Sequence, residues 1–398
     1  MSQFKTTQFL LRRKHWAGAF SLSVIFILSL VFFQNCSKSD STPAAASAPN
    51  SASGNSFVAK GSRELGIDIL ATTAASDFTS NLKLAKSAGA TYLILGLGWN
   101  QIEASTPADC ASAGTFTDPG NALSSFNTLL PAEGMKLSLS IVPISTNLNL
   151  MPSNLKALNF DDPLVVCRFQ KMLSFVFSKI PNLQLVSMQF GNEIDSYSTA
   201  NQISFWAQYW SFFVQASNTA KQLRPGLKTS IVSTLYGANG HSSNVLAQGG
   251  LQQIYNSSDI VALTYYPLND NFTIKNISEI QSDIKSIVSL YPSKPIYFNE
   301  IGLPSGASYV ASSDTIQKQF ISQVFKVWDQ YANQITKLSF LRLNDLSLSA
   351  AQATAVTYSL PGNNQFIEYI QTLGLRTYSG SDKPAFVQLK TETSNRSW

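Results

Sequence analysis

Two Asn-Glu dipeptides, Asn192-Glu193 and Asn299-Glu300, each close an apolar run, LQLVSMQFGNEID and KPIYFNEIGLPSG. The chain holds only eight glutamates, and these are its only two Asn-Glu pairs. Short apolar runs of this kind read as buried strands. A parallel barrel gathers the C-terminal ends of all its strands on one face, where its active site sits. Two carboxylates delivered there from different strands are the minimum equipment for cleaving a glycosidic bond, one as acid/base and one as nucleophile.

Other catalytic equipment is scarce. The two histidines are His15, in the leader, and His241, so a zinc site would be starved of ligands. His241, in YGANGHSSN, reads as a loop or helix-cap residue rather than a base. There is no G-x-S-x-G elbow, no P-loop and no G-x-G-x-x-G after a strand, so no metal and no cofactor are expected. The formal charge of +5 also misleads. Lys5, Arg12, Arg13 and Lys14 lie in the leader, leaving 24 basic residues against 23 acidic ones beyond it. That balance offers nothing to nucleic acid, and a neutral glycan is the better partner.

The carboxylates need a scaffold, and the chain supplies an eightfold alternation of strand-like runs with helical patterns. The strand candidates are Leu65–Leu70, Thr91–Leu97, Lys136–Val142, Leu185–Phe190, Lys228–Ser233, Ile260–Thr264, Pro295–Phe298 and Lys337–Leu341. The fold class is therefore α/β, a (β/α)8 TIM barrel over residues 61–390 with a tail at 391–398. Long strand-to-helix links follow strands two (Gly98 to Pro119), three (Pro143 to Phe160) and eight (Arg342 to Pro361), and long ordered loops are usually functional. Phe205, Trp206, Tyr209, Trp210 and Phe213 fall at helical spacing and read as core between helix and barrel.

The N-terminus reads as an address. Residues 1–35 combine a basic start with the apolar run Ala17 to Phe33, a secretory signal. Cys36 follows at once, in FFQNCSKSD, as the expected site of lipidation; an uncleaved membrane anchor is the alternative. Residues 36–60 are rich in Ser, Ala, Pro and Asn, a flexible tether. The expected protein is a monomer held to a membrane by its N-terminal lipid, with its body in the periplasm or at the cell surface. Cys110 and Cys167 should lie near one face in that oxidising compartment, as a disulfide or as two buried thiols.

By strand count, Glu193 ends strand four and Glu300 ends strand seven. In this the sequence resembles glycoside hydrolase clan A, where the acid/base glutamate follows Asn on strand four and the nucleophile ends strand seven. GIDIL, FGNEID, DIVALTYYP and FNEIGLPS are most similar to the endo-β-1,4-galactanase family (family 53) of that clan. The resemblance implies a retaining glycosidase. Glu193 would be the acid/base, its pKa raised beside a charged neighbour, and Glu300 the nucleophile. Asn192 would bind the sugar 2-hydroxyl, and Tyr265, favoured over Tyr266, would hydrogen-bond the nucleophile. Trp99 offers a stacking platform, or ordinary packing. The strand-two Arg, the histidines near strands three and six, and the strand-eight Trp of the clan are replaced here. Leu341-Arg342-Leu343-Asn344 occupies the last of these positions, where Asn344 is a candidate substrate contact and Arg342 a substitute cation. These replacements motivate two alternatives, a non-catalytic carbohydrate-binding lipoprotein and an envelope transglycosylase.

Overall fold

The structure, a computed structural model, describes residues 57–71, 73, 76–197, 201–240 and 245–398. The leader, Cys36, His241 and most of the tether lie outside these residues. Eight strand positions form the barrel: β1 Glu64–Ile67, β2 Ala90–Gly98, β3 Lys136–Ser145, β4 Leu185–Asn192, β5 in two pieces, β6 Val261–Tyr265, β7 Ile296–Ile301 and β8 Ile335–Phe340. The pieces of β5 are Thr229–Ser230, paired with β4, and Val232–Thr234, paired with β6. Every neighbouring pair is parallel, and β1 pairs with both β2 and β8. The break at Ile231 is thus where the ring closes. All eight strand candidates appear, within a few residues of their expected ends. An extra two-residue strand, Leu148–Asn149, folds back antiparallel on the end of β3.

Helices α1 Phe78–Ser87, α2 Ala122–Ala132, α3 Pro163–Lys179, α4 Gln202–Leu223, α5 Val245–Ser257, α6 Ile280–Leu290, α7 Asp314–Gln330 and α8 Pro384–Asn395 make the outer layer. Their starts are written in the sequence. Asp162 caps α3 by accepting from the Leu164 amide, with Pro163 at the first helical position. Asn201 and Ser313 cap α4 and α7 in the same way. Phe205, Trp206, Tyr209 and Phe213 of α4 are buried in the main core, and Trp210 packs at its edge.

The barrel interior is partly polar. Ser138, Ser140, Ser187 and Gln189 are buried, and the Gln189 amide bonds the Ser187 hydroxyl at 2.7 Å while accepting from Ser138 and Ser140. Such a network is tolerated because its members partner one another.

Residues 57–60 and 391–398 extend the packed body beyond the expected ends of tether and tail. The Lys60 amide bonds the Arg396 carbonyl, Arg63 and Arg396 both pair with Asp329, and Trp398 packs on Trp328. Chain entry and chain end are therefore held together, beside the N-terminal end of β1.

The long segment after β2 is pinned to α3 twice. Cys110 and Cys167 are bridged, with Cα atoms 6.0 Å apart. Arg168 pairs with the fully buried Glu103 and also donates to the Ser112 carbonyl. The bridge closes a separation of 57 residues. Cys110→Ser with Cys167→Ser should therefore cost on the order of 4 kcal/mol in the chain-entropy account. A urea unfolding midpoint unchanged from wild type would contradict this.

Candidate active site

A cavity of about 600 Å³ opens at the C-terminal face of the barrel, and every strand end or following loop contributes to its lining. Glu193 and Glu300 both line it, with Asn192 beside them. The chain leaves β4 through Gly191 at φ +105° and Glu193 at φ +47°, before a short turn over Ile194–Ser196. A left-handed conformation at a non-glycine residue costs on the order of 1 kcal/mol and persists where its surroundings enforce it. Here a side chain at position 191 would collide with the Tyr209 hydroxyl and Ile194, so Gly191 is required for the turn.

Two hydroxyls hold the Glu193 carboxylate. Thr146, just past β3, donates to Oε2 at 2.9 Å, and Thr264 of β6 donates to Oε1 at 2.7 Å. Glu300 accepts from the Tyr266 hydroxyl at 2.7 Å. Burial, then the negative charge of Glu193, pushes the Glu300 carboxyl up to about 7, against the pull of Tyr266 and Arg342. Glu300 thus combines desolvation with two acidic neighbours, Glu193 and Asp68.

Tyr266, not Tyr265, is the tyrosine that meets Glu300. Thr264 and Tyr266 alternate into the barrel mouth, so Tyr265 points outward and donates to Asp283 of α6 at 2.8 Å. Trp99 cannot stack on a sugar. It is fully buried in the turn Trp99–Ile102, edge-on to Phe169 and with its indole nitrogen 3.3 Å from Glu103. Asn344 is likewise fully buried, and its amide ties the Ala71 carbonyl to Asn81 of α1. Neither residue lines the cavity.

Sequence reasoning missed several lining residues. Asp68, in GIDIL, follows β1; burial raises its pKa, and the charge of Arg342 opposes that rise. Arg342, which the sequence did offer as a substitute cation, lines the cavity and is itself buried among acidic neighbours. Asp195, two residues after Glu193, accepts from the amide and hydroxyl of Thr234 at 2.9 and 2.6 Å, fixing that cavity residue. Burial pushes Asp195 up to about 7. The aromatic wall comes from Tyr266, Phe272, Tyr358, Phe366 and Tyr369, mostly in the segment after β8. Its only sequence signal was the length of that segment. Among the described residues no cluster of His, Cys, Asp and Glu is arranged to hold a metal ion.

No family model matches the chain, and no curated protein does either. Solved structures do match. A GH5_18 variant from Bifidobacterium longum in complex with Manβ1-4GlcNAc aligns at 12% identity and a TM-score of 0.61, over 83% of this chain and 78% of that one. An exo-β-1,4-mannosidase from an Opitutaceae bacterium aligns at 15% identity and 0.60, over 84% and 59%. A family 39 glycoside hydrolase from Bacteroides cellulosilyticus aligns at 14% and 0.56, over 85% and 65%. The shared fold is the (β/α)8 barrel. At these identities the likeness is one of fold, and the galactanase resemblance stands on the short motifs alone.

Proposed function

We propose that this chain is a retaining glycoside hydrolase acting on a β-linked neutral poly- or oligosaccharide at the cell envelope. The observation that carries the reading is the arrival of Glu193 and Glu300, from the ends of β4 and β7, in one cavity. In the form that reacts, Glu193 carries the one proton of the coupled pair and Glu300 is ionised; Glu300 attacks the anomeric carbon while Glu193 gives that proton to the departing oxygen. Glu193 then takes a proton from water, which releases the sugar from Glu300 with net retention. Asn192, which lines the same cavity, holds a sugar hydroxyl in this reading. The lining carries Asp68, Glu193, Asp270 and Glu300 against Arg342, an acidic balance that disfavours uronic acids and supports a neutral substrate. Proton NMR of product anomers from a panel of neutral β-glycans tests the reading. Retention is the expected result, and inversion would overturn the mechanism.

The aromatic wall would also suit a non-catalytic carbohydrate-binding lipoprotein. Binding of one glycan with turnover of none would select that alternative, and transfer to a sugar in preference to water would select a transglycosylase.

Tyr266 stabilises the ionised form of Glu300. Tyr266→Phe should therefore raise the Glu300 pKa and move the acid limb of the kcat/KM profile to higher pH. An acid limb left in place would contradict the assignment of Glu300 as the group that must ionise.

The N-terminal reading is part of the same proposal: Cys36 carries the lipid, and the chain from there to residue 56 is the tether. Mass spectrometry of membrane-extracted protein should find a diacylglyceryl group on Cys36. An intact, unmodified N-terminus would favour the uncleaved anchor.

A further inference from the structure

Each oxygen of the Glu193 carboxylate accepts from a different threonine, and the two threonines reach it from different strands. Thr146 follows β3 and Thr264 lies on β6, while Glu193 leaves the end of β4 between them in the barrel order. Thr264 is fully buried, and Thr146 lines the cavity beside Glu193. A carboxylate offers two lone-pair positions on each oxygen, so one hydroxyl per oxygen leaves room for the proton that the reaction needs. What the two hydroxyls take away is rotation. The last torsion of a glutamate is broad, and contacts on both oxygens fix the plane of the group.

Thr146 reaches its place through an unusual backbone. It is the first residue of the two-residue turn Thr146-Asn147, which joins Ser145 to Leu148 in the antiparallel hairpin after β3. Its φ is +53°. Glycine is the usual occupant of a turn position with positive φ, and a β-branched residue there is an outlier. Such conformations persist where the surroundings enforce them, and they gather at functional sites. Here the Thr146 amide donates to the Asn192 carbonyl at 2.9 Å, one residue before Glu193, which is itself left-handed at φ +47°. The returning arm of the hairpin is also held. The Leu150 amide donates to the Pro143 carbonyl and its carbonyl accepts from the Asn100 amide, both at 2.8 Å. Glycine at position 146 would make this turn without steric cost, but it would have no hydroxyl to give Glu193.

We propose that Thr146 and Thr264 are positioning residues for the acid/base. They hold the Glu193 carboxyl in the plane from which it delivers its proton to the departing oxygen, and the left-handed turn after β3 serves to place the Thr146 hydroxyl. This rests on the hydrolase reading above. A group that acts through Glu193 matters where the proton of Glu193 matters: a phenolate leaving group needs it, and a dinitrophenolate does not.

The test compares kcat/KM for phenyl and 2,4-dinitrophenyl β-glycosides of the shortest neutral β-linked chain that the wild type accepts. The quantity read is the dinitrophenyl-to-phenyl ratio, in which losses of folded protein cancel. Thr146→Val and Thr264→Val should each raise that ratio by roughly tenfold or more, a part of what general acid catalysis supplies. Thr146→Gly should raise it as Thr146→Val does, although its turn is relieved of strain, and Thr146→Ser, which keeps the hydroxyl, should hold the wild-type ratio. Glu193→Ala sets the scale, with an expected rise on the order of a hundredfold or more. If Glu193→Ala raises the ratio and the threonine variants leave it unchanged, or if Thr146→Gly leaves it unchanged, the proposal is overturned and the hydrolase reading stands. A rise in Thr146→Ser equal to that in Thr146→Val also overturns it, because the hydroxyl would then not be what counts. If Glu193→Ala leaves the ratio unchanged, or the wild type cleaves no glycoside, the acid/base assignment fails and the proposal fails with it.

Discussion

Glu300→Ala will abolish hydrolysis of every substrate the wild type cleaves, by roughly 10⁴-fold or more, the scale seen when a covalent nucleophile is removed. No other carboxylate on β7 reaches the cavity, so no glycosyl-enzyme can form. Glu193→Ala will behave differently. A substrate with a good leaving group needs no protonation, so its first step survives, and the glycosyl-enzyme then accumulates for want of a general base. Azide, a small anion that needs no base, should restore turnover of this variant and yield a β-glycosyl azide from a β-linked substrate. Azide will not rescue Glu300→Ala with the same stereochemistry. Wild-type activity in both variants would show that the division of labour is wrong.

The second large effect is on stability. Folding raises the Glu300 pKa from 4.5 to about 7, so the folded chain holds that proton more tightly than the unfolded one. As pH climbs from about 4.5 to about 7 the unfolded state loses its proton first, and stability falls across that window. The loss amounts to something on the order of 3 kcal/mol and is complete above pH 7. Asp195, also pushed up to about 7, adds a loss of the same sign in the wild type. Glu300→Gln cannot ionise and keeps the Tyr266 hydroxyl as a donor to its amide oxygen. Its melting temperature should exceed that of the wild type by several degrees at pH 8 and by far less at pH 4.5, although it catalyses nothing. An equal difference at both pH values would mean that Glu300 is not held in a desolvated, acidic environment.

The strands were legible because a parallel barrel buries each strand on both faces, so the strands read as continuous apolar runs. Glu193 and Glu300 were legible for the same reason: a polar residue at the end of such a run has few places to go but the mouth. The failures lie where side-chain direction or tertiary packing decides. Alternation allowed only one of Tyr265 and Tyr266 to face inward, and Thr264, whose hydroxyl meets Glu193, fixes the phase in favour of Tyr266. Trp99 sits at the expected strand end, but the following turn rotates it into the packing against α3, where Phe169 and Glu103 receive it. Asn344 was placed by position alone, and its amide is spent on Ala71 and Asn81. The aromatic wall was out of reach because residues 341–383 take their course from non-local contacts such as Glu368 with the amides after β7. The upward shift on Glu300 was equally hidden, since it depends on three strands converging in space.

Trapping the intermediate tests the central claim most directly. The wild-type protein is incubated with a 2-deoxy-2-fluoro glycoside of whichever neutral sugar it releases, carrying an activated leaving group, and then digested and mapped by mass spectrometry. The account predicts one glycosyl adduct, on the peptide containing Glu300, and none when Glu300 is replaced by Gln. An adduct on Glu193 or on any other carboxylate, or inactivation without a covalent adduct, would contradict it.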